Sequence, residues 1–227
     1  MKYPYLLLDA DDTLFDFPKA SRRAFSAMCR ANGIPDTEDS HQRYHEINQA
    51  LWAAFDRGEV SKEFLTRQRY VQFLGELGLN RDPDKCNQDY LRALGEGVFP
   101  LPHAEETCRE LVRRGHRLYI ATNSVASVQR SRLRGSVFAE LISDAFISED
   151  AGASKPSRAY YEYIFSRVPD MTAENCLAVG DSLATDIQGA NNAGLPCCWY
   201  NPAGKARPGN LRIDYEIRNL RELLEIV

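Results

Sequence analysis

The sequence has no hydrophobic run that approaches the roughly 20 residues of a transmembrane helix. Its first apolar run, at residues 5–8, is too short for the core of a signal peptide and is followed by acidic residues. The first absence excludes the class of proteins with membrane-spanning helices, and the two together favour a cytoplasmic protein. We therefore expect no membrane partner.

Cysteine motifs are missing as well. The six cysteines form no Cys-x-x-Cys pair, and no histidine lies near them at the spacing of a metal site. Reduced thiols that pack as small hydrophobic side chains are therefore favoured over a disulfide framework or a zinc site.

An excess of positive charge is the third absence. Lys and Arg number 28 against 32 Asp and Glu, which gives a formal net charge of -4. Because binding to a phosphate backbone normally requires a basic excess, we expect no nucleic acid polymer as a partner. The sequence also contains no internal repeat and no low-complexity segment.

The composition that remains is that of an ordinary globular protein. Of the 227 residues, 44% are hydrophobic and 10% are aromatic, which is ample for a core, and 26% are charged. The length corresponds to about one and a half domains of typical size. This ratio fits one large domain, or one ordinary domain that carries an insertion.

Hydrophobic periodicity divides the chain into three parts. An apolar run at residues 5–8 predicts a buried strand, and residues from about 18 to 97 carry only helical patterns. Strands then alternate with helices, which predicts an α/β fold with a Rossmann-like parallel sheet and helices on both faces. The later strands are predicted at Arg117–Thr122, Ala145–Ile147, Cys176–Gly180 and Pro196–Tyr200, and the helices near 20–31, 40–55, 62–77, 83–94, 103–114, 125–134, 157–168 and 183–193.

The separation of the first two strands predicts an inserted domain. A crossover between parallel strands needs only about a dozen residues. Here a long helical stretch, from residue 18 to residue 97, follows the first strand. We therefore predict a core domain of residues 1–16 and 100–227 and an inserted α-helical domain of residues 17–99.

Polar side chains gather where the predicted strands end, which is where open parallel sheets bind ligands. Carboxylates in one place repel one another, so a cation is expected between them, and oxygen ligands suit Mg²⁺. A site with Mg²⁺, a lysine and hydroxyl groups is in turn suited to phosphate. Pro156, beside the lysine, is expected in the first turn of a helix. The residues concerned are Asp9, Asp11, Thr13, Thr122, Asn123, Lys155, Asp181 and Asp186.

In this order and strand context, the polar residues resemble the four motifs of the haloacid dehalogenase-like hydrolase superfamily. The motifs are Asp9-x-Asp11-x-Thr13, Thr122-Asn123, Lys155-Pro156 and Gly180-Asp181-x-x-x-x-Asp186. The insertion resembles the helical cap of the first subgroup of that superfamily. Within the subgroup, residues 9–15, 48–58 and 189–201 resemble the bacterial pyrimidine nucleotidases.

The resemblance implies a role for each catalytic residue. Asp9 would be the nucleophile that attacks phosphorus and forms an aspartyl-phosphate. Asp11 would protonate the leaving alcohol and then deprotonate the attacking water. Thr122 and the backbone N–H of Asn123 would hold phosphoryl oxygens, and Lys155 would offset negative charge.

The resemblance also implies a metal site. Mg²⁺ would be bound by Asp9, the main-chain carbonyl of Asp11, and Asp181. Thr13 and Asp186 would support the site from its margin.

The second aspartate separates reactions within the superfamily. Members that cleave carbon–halogen bonds need no acid for an alkoxide leaving group and as a rule lack this residue, so Asp11 favours a phosphatase. Resemblance to the nucleotidases implies a Mg²⁺-dependent 5′-nucleotidase whose partner is a small phosphorylated metabolite, a pyrimidine nucleoside monophosphate. Asn48 and Trp52 lie off the apolar stripe of their predicted helix, so they are candidate substrate contacts.

Two alternatives stay open. A phosphatase of sugar phosphates or of phosphoglycolate-like small esters would use the same motifs. A non-catalytic phosphate-sensing module would use the same scaffold, although the presence of Asp9, Asp11, Lys155 and Asp181 together favours an enzyme.

Overall fold

The structure, a computed structural model, describes residues 2–227. Its strands are β1 (Tyr5–Leu8), β2 (Arg117–Thr122), β3 (Ile142–Ile147), β4 (Cys176–Gly180), β5 (Cys197–Tyr200) and β6 (Tyr215–Ile217). Its α-helices are α1 (Phe17–Asn32), α2 (Glu38–Asp56), α3 (Lys62–Glu76), α4 (Pro83–Gly95), α5 (Ala104–Arg113), α6 (Ala126–Arg134), α7 (Ser148–Ala151), α8 (Arg158–Arg167), α9 (Gln188–Ala193) and α10 (Leu223–Ile226). No helix in the described part of the chain is long and apolar enough to cross a membrane.

The six strands form one parallel sheet in the order β3-β2-β1-β4-β5-β6. In the middle of the sheet, Leu6 is paired with Leu118 of β2 on one side and with Leu177 of β4 on the other. The chain order therefore reverses between β1 and β4. In open α/β sheets, the crevice beyond the carboxyl ends of the strands at such a reversal is where ligands bind.

Alternate residues of β1 are buried on opposite faces of the sheet, which requires helices on both. Leu6 and Leu8 join a core cluster that includes side chains of α5 and α10. Tyr5 and Leu7 join a second cluster that includes side chains of α8 and α9. The predicted fold class, a Rossmann-like parallel sheet with helices on both faces, is confirmed.

The sheet edges differ from the prediction. β3 begins at Ile142, three residues before the predicted start. The apolar pattern missed these residues because the first half of the strand is largely polar and partly exposed at the edge of the sheet. β6 at the opposite edge was not predicted, since it has only three residues and no apolar run.

Two helices also differ from the prediction. α8 begins after Pro156, at Arg158, because the side chain of Ser157 caps the helix by accepting a hydrogen bond from the backbone N–H of Ala159. The helix predicted at 183–193 begins as a π-helix, Leu183–Ile187, and continues as α9. Its wide turn brings the N–H of Ile187 to the carbonyl oxygen of Ser182 at 3.2 Å, and such turns are frequent at functional sites.

The chain divides into two compact units. The sheet unit consists of the described residues up to Phe17 together with Val98–Val227, and the helical unit is Pro18–Gly97. In the helical unit, aromatic side chains form the core, and the rings of Tyr44 and Tyr70 stack with centroids 5.4 Å apart. All six cysteines of the chain are buried and free of disulfides.

Candidate active site

Lys155 lies at the centre of the site, and its ammonium group joins two carboxylates. Nζ donates hydrogen bonds to Oδ1 of Asp9 and to Oδ1 of Asp186, each 2.6 Å long, and to the carbonyl oxygen of Ala121 at 2.7 Å. The side chain is 3% exposed. Because a buried ammonium is costly unless it is paired, the two carboxylates and the carbonyl account for its position.

Burial is the largest influence on both members of this ion pair. Burial lowers the pKa of Lys155, but the carboxylates of Asp186 and Asp9 outweigh it and hold that pKa well above its ordinary value. Burial raises the pKa of Asp9 more than the ammonium of Lys155 lowers it, and Asp186 and Asp181 add to the rise. The attraction of one ammonium group therefore does not offset the effect of burial on the pKa of Asp9.

Asp181 stands directly after β4, beside the end of β1. Its Oδ1 accepts a long hydrogen bond of 3.5 Å from the hydroxyl of Thr13, and its main-chain oxygen accepts one of 2.9 Å from the indole N–H of Trp199. Burial and the nearby carboxylate of Asp186 raise the pKa of Asp181 to about 7. A cleft of about 260 Å³ opens beside Asp181, between Asp12 and the segment that follows β5.

The acidic side chains form a set that suits a divalent cation. Carboxylate oxygens of Asp9, Asp181 and Asp186 all lie within 4.8 Å of one another. Oxygen-only donors are those that Mg²⁺ prefers, and a cation would supply the positive charge that this cluster lacks. Both oxygens of Asp186 are already engaged, by Lys155 and by the N–H of Ser182, so Asp9 and Asp181 are the more available ligands.

Asp186 can approach Lys155 only because residue 180 is glycine. A Cβ atom on Gly180 would lie 2.2 Å from Cγ and Oδ2 of Asp186. We expect Gly180→Ala to lower the free energy of unfolding by at least about 2 kcal/mol, since such overpacking forces the backbone or the buried carboxylate to move. Thermal and urea unfolding measure the change.

The matched control is Gly75→Ala in α3, where a Cβ atom would meet nothing within 4 Å. Alanine favours a helix over glycine by up to about 1 kcal/mol, so this variant is expected to be as stable as the parent or more stable. Equal stability of the two alanine variants would contradict the assigned role of Gly180.

Thr122 and Asn123 shape the loop that follows β2. The hydroxyl oxygen of Thr122 accepts the N–H of Ser124 at 3.1 Å, which leaves its own O–H to donate elsewhere. The side-chain amide of Asn123 bonds the backbone of Lys155 in both directions, N–H to Oδ1 and Nδ2–H to carbonyl, each at 2.9 Å. Asn123 thus ties the end of β2 to the segment that carries the lysine.

Asp11 does not join the cluster around Lys155. Its Oδ1 instead accepts a hydrogen bond from Nη1 of Arg132 in α6, a residue that the sequence did not single out. Arg132 is completely buried. The sequence contains one sign that Arg132 is buried, which is its spacing from Val128. Residues four apart lie on the same face of a helix, and Val128 is on the inward face of α6.

The candidate substrate contacts lie on α2 in the helical unit. Asn48 is buried, and its Oδ1 accepts a hydrogen bond of 3.0 Å from the buried guanidinium of Arg69. Trp52 is only partly buried and packs edge to face against Phe55. The amide oxygen of Asn48 is thus engaged within the unit, whereas Trp52 is not fully buried.

Known proteins match this chain in sequence and in fold. Residues 3–194 match the haloacid dehalogenase-like hydrolase family. The chain is 38% identical to HAD-hydrolase YfnB of Bacillus subtilis over 100% of this chain and 96% of YfnB. A crystal structure of YfnB bound to magnesium superposes with a TM-score of 0.92 and covers 100% of this chain and 99% of that one.

Two further relatives carry a more specific name. Pyrimidine 5′-nucleotidase PynA of Streptococcus pneumoniae is 32% identical over 99% of this chain and 95% of its own length. Pyrimidine 5′-nucleotidase YjjG of Escherichia coli is 28% identical over 100% of this chain and 99% of its own. The chain therefore belongs to the haloacid dehalogenase-like hydrolase family, and the prediction that it is a hydrolase is confirmed.

Proposed function

We propose that this hydrolase cleaves small phosphate monoesters through an aspartyl-phosphate on Asp9, with pyrimidine nucleoside monophosphates as its preferred substrates. The observation that carries the proposal is the buried Lys155 ammonium between Asp9 and Asp186, with Asp181 beside them at the reversal of strand order. This arrangement supports the proposal, because phosphoryl transfer to an aspartate needs a carboxylate nucleophile with positive charge beside it.

In the first step, a carboxylate oxygen of Asp9 forms a bond to phosphorus as the bond from phosphorus to the ester oxygen breaks. The electron pair of the broken bond goes to the ester oxygen, which takes a proton from the carboxyl group of Asp11. The products are the aspartyl-phosphate and the free alcohol. The proton from Asp11 is needed because an alkoxide is a poor leaving group.

In the second step, water forms a bond to phosphorus and gives a proton to Asp11, and the bond between phosphorus and Asp9 breaks. Phosphate and the carboxylate of Asp9 are released, and Asp11 is again protonated. The hydroxyl of Thr122 and the backbone N–H of Asn123 hold phosphoryl oxygens, and Lys155 balances charge on Asp9. Asp9, Asp181 and the main-chain carbonyl of Asp11 would hold Mg²⁺, which would supply positive charge that reduces the repulsion between the nucleophile and the phosphate.

The substrate half of the proposal rests on the two relatives named pyrimidine 5′-nucleotidase, both of which align over nearly the whole chain. We propose the helical unit, Pro18–Gly97, as the cap that selects the substrate. Of the two candidate contacts in α2, Trp52 is only partly buried, whereas Asn48 is buried and bonded to Arg69. Trp52 is therefore the better candidate for stacking on a base.

A substrate panel tests the proposal. Pyrimidine nucleoside monophosphates are expected to give kcat/KM values at least about tenfold above those of purine nucleotides, hexose phosphates and phosphoglycolate. Trp52→Ala is expected to narrow that difference. Equal kcat/KM values for sugar phosphates and pyrimidine nucleotides would refute the substrate assignment. If no ester showed Mg²⁺-dependent turnover, the proposed phosphatase reaction would be refuted in favour of phosphate sensing.

If Asp181 binds Mg²⁺, the effect of Mg²⁺ on the Tm is expected to depend on pH. In the metal-free protein, Asp181, with its pKa of about 7, keeps its proton in the folded state at pH values where the unfolded carboxyl, with a pKa of about 4, has lost it. This carboxyl therefore lowers the stability of the metal-free protein as the pH rises from about 4 to about 7. Because a cation competes with that proton, Mg²⁺ is expected to raise the Tm more at about pH 8 than at about pH 5.5.

Scanning fluorimetry with and without Mg²⁺ measures this difference. Asp181→Asn is expected to remove most of the Mg²⁺ effect on the Tm, whereas Asp170→Asn, an exposed control, is expected to keep it. An effect of Mg²⁺ that is independent of pH, or that survives in Asp181→Asn, would contradict the metal assignment.

A further inference from the structure

Arg132 is a buried cation that no part of the proposed reaction uses. It lies in α6, on the helix that follows the Thr122–Asn123 loop, and both Arg132 and Gln129 are completely buried. Burial of a guanidinium is costly unless charge and hydrogen bonds compensate for it. Its partners therefore indicate why an arginine stands at this position.

Three groups of the sheet unit fix the guanidinium. Its Nη1 donates to Oδ1 of Asp11 and, at 3.3 Å, to Oε1 of Gln129. Its central carbon lies 4.5 Å from the centroid of the Phe15 ring, a cation–π contact. Phe15 is itself completely buried and packs edge to face against Phe138, with centroids 5.2 Å apart. The guanidinium thus contacts Asp11, Gln129 and the buried ring of Phe15.

The amide of Gln129 supports the same interpretation. Its Oε1 accepts from Arg132, whereas its buried Nε2 has no hydrogen-bond partner within residues 2–227. An unsatisfied buried N–H costs stability. Gln129 bears this cost, and its Oε1 accepts a hydrogen bond from Arg132. This bond helps to hold the guanidinium beside Asp11.

The loop that carries Asp11 does not need the arginine for its shape. The carbonyl oxygen of Ala10 accepts the N–H groups of Leu14 and Phe15, each at 2.9 Å. The N–H of Asp12 donates to the carbonyl oxygen of Phe15 at 2.8 Å. Backbone bonds therefore close the loop, and the contact with Arg132 fixes the carboxyl group of Asp11 rather than the chain around it.

We propose that Arg132 is a positioning residue that holds the Asp11 carboxyl by one oxygen, so that the other oxygen is aimed at the proton it transfers. The Asp11 side chain keeps 24% of its surface exposed, so it is anchored at one end and open at the other. Arg132 touches neither substrate nor phosphorus in this scheme. The inference rests on the proposed function, because it assigns Arg132 to the general acid and base of that reaction.

The proposal is tested by comparing kcat/KM for two esters with different leaving groups. Cytidine monophosphate releases an alcohol, which needs a proton. p-Nitrophenyl phosphate releases nitrophenolate, which leaves without a proton. Arg132→Met is expected to reduce kcat/KM for the nucleotide at least about tenfold more than for the nitrophenyl ester, because only the nucleotide needs a well-placed acid. Arg132→Lys, which keeps the charge, is expected to recover part of the loss and carries the test if the methionine variant does not fold.

A double-mutant cycle isolates the route through Asp11. In an Asp11→Asn background, Arg132→Met is expected to change kcat/KM by less than about twofold on either ester, since the group it positions is gone. Arg134→Met is the matched control in the same helix, because it makes the same substitution at an exposed arginine and leaves the pair of Arg132 and Asp11 in place. Its ratio of activities on the two esters is expected to stay near that of the parent.

Equal losses on both esters, a full effect of Arg132→Met in the Asp11→Asn background, or a gain in activity would each overturn the proposal. If the parent protein hydrolyses neither ester, the proposed function fails and this inference fails with it. If the parent hydrolyses both esters and the Arg132 variants keep their ratio, the inference alone fails.

Discussion

Asp9→Asn is expected to lower kcat/KM for phosphate esters by at least about 10³-fold, because an amide oxygen does not form the phosphoenzyme. The folded structure is expected to survive. Asparagine still offers an oxygen to Lys155, and the ammonium keeps its 2.6 Å contact with Asp186. Steady-state kinetics on the best substrate of the panel, together with the Tm, separates loss of the nucleophile from loss of the fold.

Asp12→Asn is the matched control for this prediction. The substitution removes a carboxyl group from the same loop. The carboxylate of Asp12 accepts a hydrogen bond from the N–H of Phe17 at 3.2 Å, and an asparagine side chain can accept the same bond. We expect a loss of less than about tenfold, since Asp12 has no role in the two steps. Similar losses in the two variants would contradict the assignment of Asp9 as nucleophile.

Lys155→Met is expected to reduce stability and activity together. The substitution removes the ammonium that joins the buried carboxylates of Asp9 and Asp186. Breaking a buried ion pair from one side typically costs about 3–5 kcal/mol, because the remaining charge is left uncompensated. Activity is expected to fall by at least about 10³-fold, as the phosphate and the nucleophile then repel each other without a counter-charge.

Urea unfolding of the metal-free protein and kinetics at saturating Mg²⁺ measure the two effects of Lys155→Met. Lys205→Met removes an exposed lysine and is expected to change the free energy of unfolding by less than about 0.5 kcal/mol. A Lys155→Met protein as stable as the parent would show that the ion pairs of Lys155 do not hold the site together.

Much of the site was predictable because motif order and strand geometry point to the same place. Parallel strands end at one edge of the sheet, so Asp9 after β1 and Asp181 after β4 were expected at the same edge once the strands were recognised. The structure brings Lys155 and Asp186 to the same point. The reversal of strand order between β1 and β4 completes the reason for a site there.

The features of the site that the sequence did not predict depend on contacts between residues far apart in the chain. Arg132 stands 121 positions from Asp11, and an arginine in a helix is usually solvated. The π-helix at Leu183–Ile187 contains Asp186, whose Oδ1 accepts a hydrogen bond from Lys155, 31 positions away in the chain. Such features arise from tertiary packing, which overrides local propensity.

Acid quenching during turnover of a nucleotide labelled in its phosphate shows whether Asp9 carries the phosphoryl group between the two steps. We expect protein-bound label on Asp9 that is released by hydroxylamine, is absent from Asp9→Asn and requires Mg²⁺. Label on another residue, or turnover by the parent protein with no bound label at any time after mixing, would contradict the aspartyl-phosphate account.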